Sequence, residues 1–173
     1  MTLDTQLFFA LNGLAGQAPF LDAIIVFLAS HLPYIVVVLF FGVALSSKEK
    51  IRFLLVGLGS AIVARFGVVE LIRLFYHRVR PFDELSITPL FTSDNWSFPS
   101  GHASFFFALS TAVYLYNKRW GMGFFGATVL STLSRVSAGV HYPSDIVGGA
   151  VVGIASSYAI FHLLRKLDYS ATY

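Results

Sequence analysis

Apolar residues run almost unbroken through most of this chain, and short polar stretches cut them into pieces of membrane length. A helix needs roughly 20 apolar residues to cross the hydrocarbon of a bilayer. On that measure the spans are Leu21–Leu45, Phe53–Tyr76, Ala103–Tyr116, Trp120–Ala138 and Ile146–Leu164. Pro33 removes a backbone donor inside the first, which predicts either one kinked span or two shorter helices broken at His31–Pro33. The third is short unless Ser100–His102 and Asn117–Lys118 belong to it. Ahead of the spans, Leu3, Leu7, Phe8 and Leu11 recur at helical spacing with Asp4 and Gln6 between them. That pattern reads as a short amphipathic helix in the membrane interface, or as a frayed lead-in to the first span. The predicted fold class is therefore all-α: a polytopic membrane helix bundle of about five to six transmembrane helices plus an N-terminal interfacial helix. The 173 residues are expected to form a single integral-membrane domain.

Composition agrees with the pattern. Hydrophobic residues make up 56% of the chain and charged ones 12%, against about 45–50% and about 25% in soluble domains. The absence of cysteine excludes a disulfide framework, a thiolate metal site and a cysteine nucleophile. A net charge of +3 gives a nucleic-acid partner no support. The first residues lack the basic stretch that opens a secretory signal.

Charge also orients the bundle. Lys48, Lys50, Arg52, Lys118, Arg119, Arg165 and Lys166 fall on connections that share one face, which the positive-inside rule makes cytoplasmic. The loops at about Tyr76–Gly101 and Gly139–Asp145 share the opposite, outer face. Arg73, Arg78, Arg80 and Arg135 lie there against the rule. Arginines grouped beside a bilayer on its outer side suggest a bound anion.

Three segments converge on that face. "RLFYHRVRP" supplies Arg73 and Arg80, with His77 one helical turn beyond Arg73 as a further substrate contact. Pro81 disfavours helical geometry at Arg80 and lets that side chain curl back over the site. "PSGH" places Ser100, Gly101 and His102 at a helix start, where backbone N–H groups point at an anion. "SRVSAGVHYPSD" supplies Arg135, His141 and Asp145. Arginine forks match phosphate oxygens and keep their charge. One imidazole can attack phosphorus while the other, protonated, serves the leaving oxygen.

The order R-x6-R-P, P-S-G-H, S-R-x5-H-x3-D, running from Arg73 to Asp145, resembles the three signature motifs of the type 2 phosphatidic acid phosphatase superfamily. Arg73 stands where that family usually has lysine. The resemblance implies His141 as the nucleophile that forms a phosphohistidine and Asp145 as its orienting partner. It implies His102 as acid and then base, and Arg73, Arg80, Arg135, Ser100 and the Gly101 N–H as the phosphate cradle. It further implies no metal and no other cofactor, and a lipid phosphate or diphosphate in the membrane as substrate. Undecaprenyl diphosphate is the leading expectation, with phosphatidylglycerophosphate and lipid A 1-phosphate as alternatives, and the site is expected on the outer face of the inner or plasma membrane. Two readings of other classes are a vanadate-type haloperoxidase and a lipid phosphate carrier without chemistry. Oligomeric state is not legible. Arg65 and Glu70 lie inside the second span, where charge is costly. Five residues apart, they are a strained mutual pair on an α-helix, and structural partners elsewhere in the bundle are expected.

Overall fold

Helices begin where the sequence supplies caps or prolines. Thr2 Oγ1 accepts from the Thr5 N–H at 3.3 Å, Ser100 Oγ from Ala103 at 3.3 Å, and Asn117 Oδ1 from Trp120 at 3.1 Å. Pro19, Pro81 and Pro143 open three others, at positions where a missing N–H costs nothing. In this computed structural model, which describes residues 1–170, the elements are α1 (Leu3–Asn12), α2 (Pro19–Ser46), α3 (Lys50–Phe75), α4 (Pro81–Glu84), α5 (Gly101–Tyr116), α6 (Lys118–Ser137) and α7 (Pro143–Ser170). No strand occurs among the described residues. The expected all-helical membrane bundle is the fold.

Pro33 does not divide α2. The helix widens into a π-helical turn over Phe27–His31, immediately before the proline. The wider turn accommodates the missing donor and the ring that would otherwise press on the preceding turn. A second π-helical turn, Val63–Val68, interrupts α3.

Three helical stretches, Pro19–Ser46, Lys50–Phe75 and Pro143–Leu167, are long and apolar enough on their own to cross a membrane. Their outer surfaces expose Val38, Leu39, Leu55, Leu71, Val147 and Val151, as lipid-facing helices do. The expected third and fourth spans correspond to α5 and α6, which are more polar because they turn hydroxyls inward. Ser110 Oγ and Thr128 Oγ1 lie 2.9 Å apart across the two helices, and Thr111 and Thr132 bond carbonyls one turn back. α5 is the central post, buried along most of its length from Gly101 to Val113. It crosses α7 at Gly149 and Gly153. A Cβ on Gly149 would stand 2.8 Å from that of Ala103, and one on Gly153 2.9 Å from the Ala108 nitrogen. This small-xxx-small crossing lets the two backbones touch.

Close crossing fixes the ends of α5 and α7 relative to one another, and the long loop 76–100 is knit over them. Ser100 N–H donates to Asp145 O at 3.0 Å, Leu90 N–H to Ala138 O at 3.0 Å and Ser97 N–H to Arg78 O at 2.8 Å. α1 forms as a helix rather than a frayed lead-in, and it docks at this same end. Phe8 is fully buried against Tyr142, and the Asn12 amide donates to Ser137 O at 2.8 Å.

Candidate active site

The start of α5 and the turn between α6 and α7 bring the key side chains together. His141 and Asp145 are four apart, and the His141 Nδ1 lies 3.4 Å from Asp145 Oδ2. Asp145 is wholly buried. Its carboxylate accepts from the Ser97 hydroxyl at 2.5 Å, the Tyr142 N–H at 2.8 Å and Arg78 Nη1 at 2.9 Å. With Nδ1 facing the carboxylate, Nε2 faces the other way, 3.3 Å from Ser100 Oγ and 3.4 Å from Arg80 Nη1. That is the geometry of an oriented nucleophile.

Burial, the largest effect, pushes the His141 imidazole down to about 4; the Asp145 hydrogen bond opposes it, and Arg135 and Arg80 reinforce it. The ring is therefore neutral and nucleophilic near pH 7. An unfolded imidazole takes its proton near 6.5, so His141 favours the fold fully above that pH, and the benefit is lost as pH falls through about 4. Thermal unfolding of the detergent-solubilised protein is expected to show a falling midpoint across that window. His141→Gln should flatten the fall.

Arg80 approaches Nε2, and Arg73 and Arg135 line a cavity with it. Arg80, extended before Pro81 as expected, anchors Nε on Asn95 O at 2.6 Å and Nη1 on Val140 O at 2.7 Å. Burial and the neighbouring Arg73 lower its pKa to about 10, which leaves it charged at neutral pH. Arg73 donates to Pro99 O at 3.1 Å and to Glu70 at 3.2 Å. The Nε atoms of Arg73 and Arg135 are buried with no hydrogen-bond partner among the described residues. Buried donors without partners are costly, and an anion would satisfy both. His102, in the first turn of α5, stands 3.3 Å from Ser131 Oγ and against the Phe106 ring. Together these groups line a cavity of about 310 Å³ with Arg65, Gly101, Phe105 and Phe106, and no carboxylate among the described residues lines it.

Of the residues expected from sequence, His141, His102, Arg73, Arg80, Arg135 and Gly101 line this cavity, Ser100 touches His141 from its cap position, and Asp145 stands behind it. His77 does not join them. α3 ends at Phe75 with extended backbone at Tyr76, so the one-turn relation to Arg73 is lost, and the exposed His77 ring packs on Trp96 at 4.7 Å. Arg65 and Glu70 do form an ion pair with each other. The five-residue spacing that strains an α-helical pair suits a π-helical turn, and Arg65 lies in one.

Arg78, grouped by sequence with the arginines expected around an anion, instead grips the Asp145 carboxylate, and Asp4 is a further residue at the site that the sequence does not point to. Arg78 reaches Asp145 with Nη1 and Asp4 Oδ2 with Nη2 at 2.7 Å, over the Tyr142 ring. Asp4 also accepts from the Ser144 N–H at 2.9 Å and hydroxyl at 2.6 Å. A carboxylate on an interfacial helix thus holds the arginine that holds Asp145. An acidic first turn on α1 was the only sequence signal, and it named no partner. Arg78→Met is expected to lower kcat about 10²-fold through misplacement of the dyad with KM nearly unchanged. Steady-state kinetics check it, and a loss confined to KM would assign Arg78 to substrate binding instead.

The PAP2 superfamily model matches residues 54–169, which include all three motifs. The chain is 28% identical over 162 residues to the undecaprenyl-diphosphatase BcrC of Bacillus subtilis (strain 168), a match covering 92% of this chain and 83% of that one. Aquifex aeolicus LpxE superposes with a TM-score of 0.76 at 27% identity, covering 94% of this chain and 96% of that structure. A transmembrane PAP2-type phosphatidylglycerolphosphate phosphatase from Bacillus subtilis shares the fold, with a TM-score of 0.60 at 22% identity over 98% of this chain and 88% of the other. The motifs read from the sequence, the helical bundle that brings them to one end and the family match over most of the chain agree: this protein belongs to the PAP2 superfamily of type 2 phosphatidic acid phosphatases.

Proposed function

We propose that the protein, acting as one domain, is a metal-independent hydrolase that removes phosphate from a lipid phosphate or diphosphate through a phosphohistidine on His141. Undecaprenyl diphosphate is the foremost substrate. The observation that carries the proposal is a junction. Through His102, Phe106 and Arg135, the arginine-lined cavity meets a groove of about 350 Å³ whose other wall is Ala29, Ser30, Pro33, Tyr34 and Val37 of α2. A phosphate seated on the arginines would leave an apolar tail lying among membrane helices.

His141 Nε2 attacks phosphorus, forming a P–N bond as the P–O bond to the leaving group breaks. His102, protonated beside the bound anion, gives its proton to an alcohol leaving oxygen. It then takes one from the water that attacks the phosphohistidine, and orthophosphate and free imidazole result. Arg73, Arg80, Arg135 and the Gly101 N–H hold the equatorial oxygens, supplying the positive charge that a metal would supply elsewhere. The likeness to BcrC along nearly the whole chain supports the diphosphate. The basic connections at the opposite end of the bundle support an outward-facing site in the inner or plasma membrane.

The test is phosphate release by the purified protein in detergent with EDTA, offered undecaprenyl diphosphate, phosphatidylglycerophosphate and lipid A in parallel. Preference for the first, with His141→Ala inactive, is expected. Preference for another lipid would move the substrate, and release from none, with binding intact, would favour a carrier.

A further inference from the structure

We infer that Arg65 is a specificity residue that binds the lipid-linked phosphate of a diphosphate substrate, the one that is not attacked. The inference rests on the lipid phosphatase reading above and deepens it.

Three arginines, Arg73, Arg80 and Arg135, already line the cavity with His141, enough for one phosphoryl group. Arg65 is a fourth on the same cavity. It is rooted eight residues before Arg73 on α3, about 12 Å toward the basic end of the bundle. Its side chain comes up against Gly101, where a Cβ would collide with the guanidinium. Phe105 and Phe106, one turn into α5, line this inner part of the cavity, and the tail groove opens past Phe106. In a diphosphate, the phosphate that carries the tail must lie between the attacked phosphorus and the apolar wall. Arg65 lines the same cavity as His102, Phe106 and Arg135, through which that cavity meets the groove, and is the one arginine there that the attacked phosphate does not need.

An anion already occupies the arginine pair. Glu70 contacts both Arg65 and Arg73 from outside the cavity, which it does not line. The shared carboxylate ties Arg65 to Arg73, a member of the phosphate cradle, and leaves their remaining N–H groups to the cavity. The chemistry gives Arg65 a second task. When a diphosphate is cleaved, the bond from the attacked phosphorus to the bridging oxygen breaks, and its electron pair stays on the lipid monophosphate. That leaving group needs a cation beside it more than a proton. A monoester leaves as an alcohol, which draws on His102 and gains nothing from Arg65.

The experiment compares farnesyl diphosphate with farnesyl phosphate, which share one tail, in the purified protein and in Arg65→Gln and Arg65→Lys. Arg65→Gln is expected to lower kcat/KM for the diphosphate about 10- to 100-fold and for the monophosphate less than about threefold. Arg65→Lys, which keeps the charge and loses the fork, should fall between the two with the same bias. Equal losses on both substrates would show a structural residue and overturn the inference. Inorganic pyrophosphate should also inhibit the unaltered protein about tenfold more strongly than phosphate, and equal inhibition would overturn the inference whatever the variants' folding. Should the unaltered protein hydrolyse neither lipid, the phosphatase reading itself fails. Activity with an unmoved ratio refutes Arg65 alone.

Discussion

Replacing His141 with alanine is expected to lower phosphate release by at least about 10³-fold and to leave lipid binding in place. The nucleophile proposed above draws on how the imidazole is held: Nδ1 faces a wholly buried carboxylate, and Nε2 faces Ser100, Arg80 and the cavity. Burial keeps the ring neutral at working pH. Ser100 Oγ, the hydroxyl beside Nε2, is engaged as the cap of α5. Binding should survive because the arginines do not depend on His141 for their anchors. Arg80 is held by Asn95 O and Val140 O, and Arg73 by Pro99 O and Glu70. The check is single-turnover release beside equilibrium binding of the same lipid, and turnover near the unaltered rate would place the nucleophile elsewhere.

His102→Gln is expected to cost about 10²- to 10⁴-fold with an alkyl phosphate, and the loss should depend on the leaving group. An alkoxide cannot depart without a proton. A nitrophenolate can, so with an aryl phosphate the first step should run nearly unaided. The second step still lacks its base, and the phosphoenzyme should accumulate. The expected signature is therefore a burst of about one nitrophenolate per protein, followed by a slow steady state. Equal loss with alkyl and aryl substrates and no burst would mean that His102 serves only to pack against Ser131 and Phe106.

Much of this site could be read from residues alone, because its chemistry is carried by invariant needs. Phosphate asks for arginine forks, a helix start and a nucleophile with a partner one turn away, and "PSGH" and "SRVSAGVHYPSD" supply them in order. The bundle was legible for a similar reason, since lipid-facing helices cannot hide their composition. What escaped depended on departures from α-helical period or on distance along the chain. The Arg65–Glu70 pair was judged strained on a 3.6-residue turn, and the structure makes that turn π-helical. Pro33 lies within one continuous span, one of the two forms expected, but the π turn beside it has no signal in the sequence. His77 was assigned one turn too far, because α3 stops at Phe75. Asp4, Arg78 and Ser144 come together across most of the chain, and no local pattern announces such a meeting.

A covalent phosphate on His141 is the point on which the mechanism turns. The direct measurement is to mix the His102→Gln protein with radiolabelled aryl phosphate, quench it in alkali within the burst, digest it and map the label. Acid-labile phosphate on the peptide carrying His141, present in His102→Gln and absent when His141→Ala is added, is the predicted result. Release of product with no label on any peptide, or label on another residue, would contradict it.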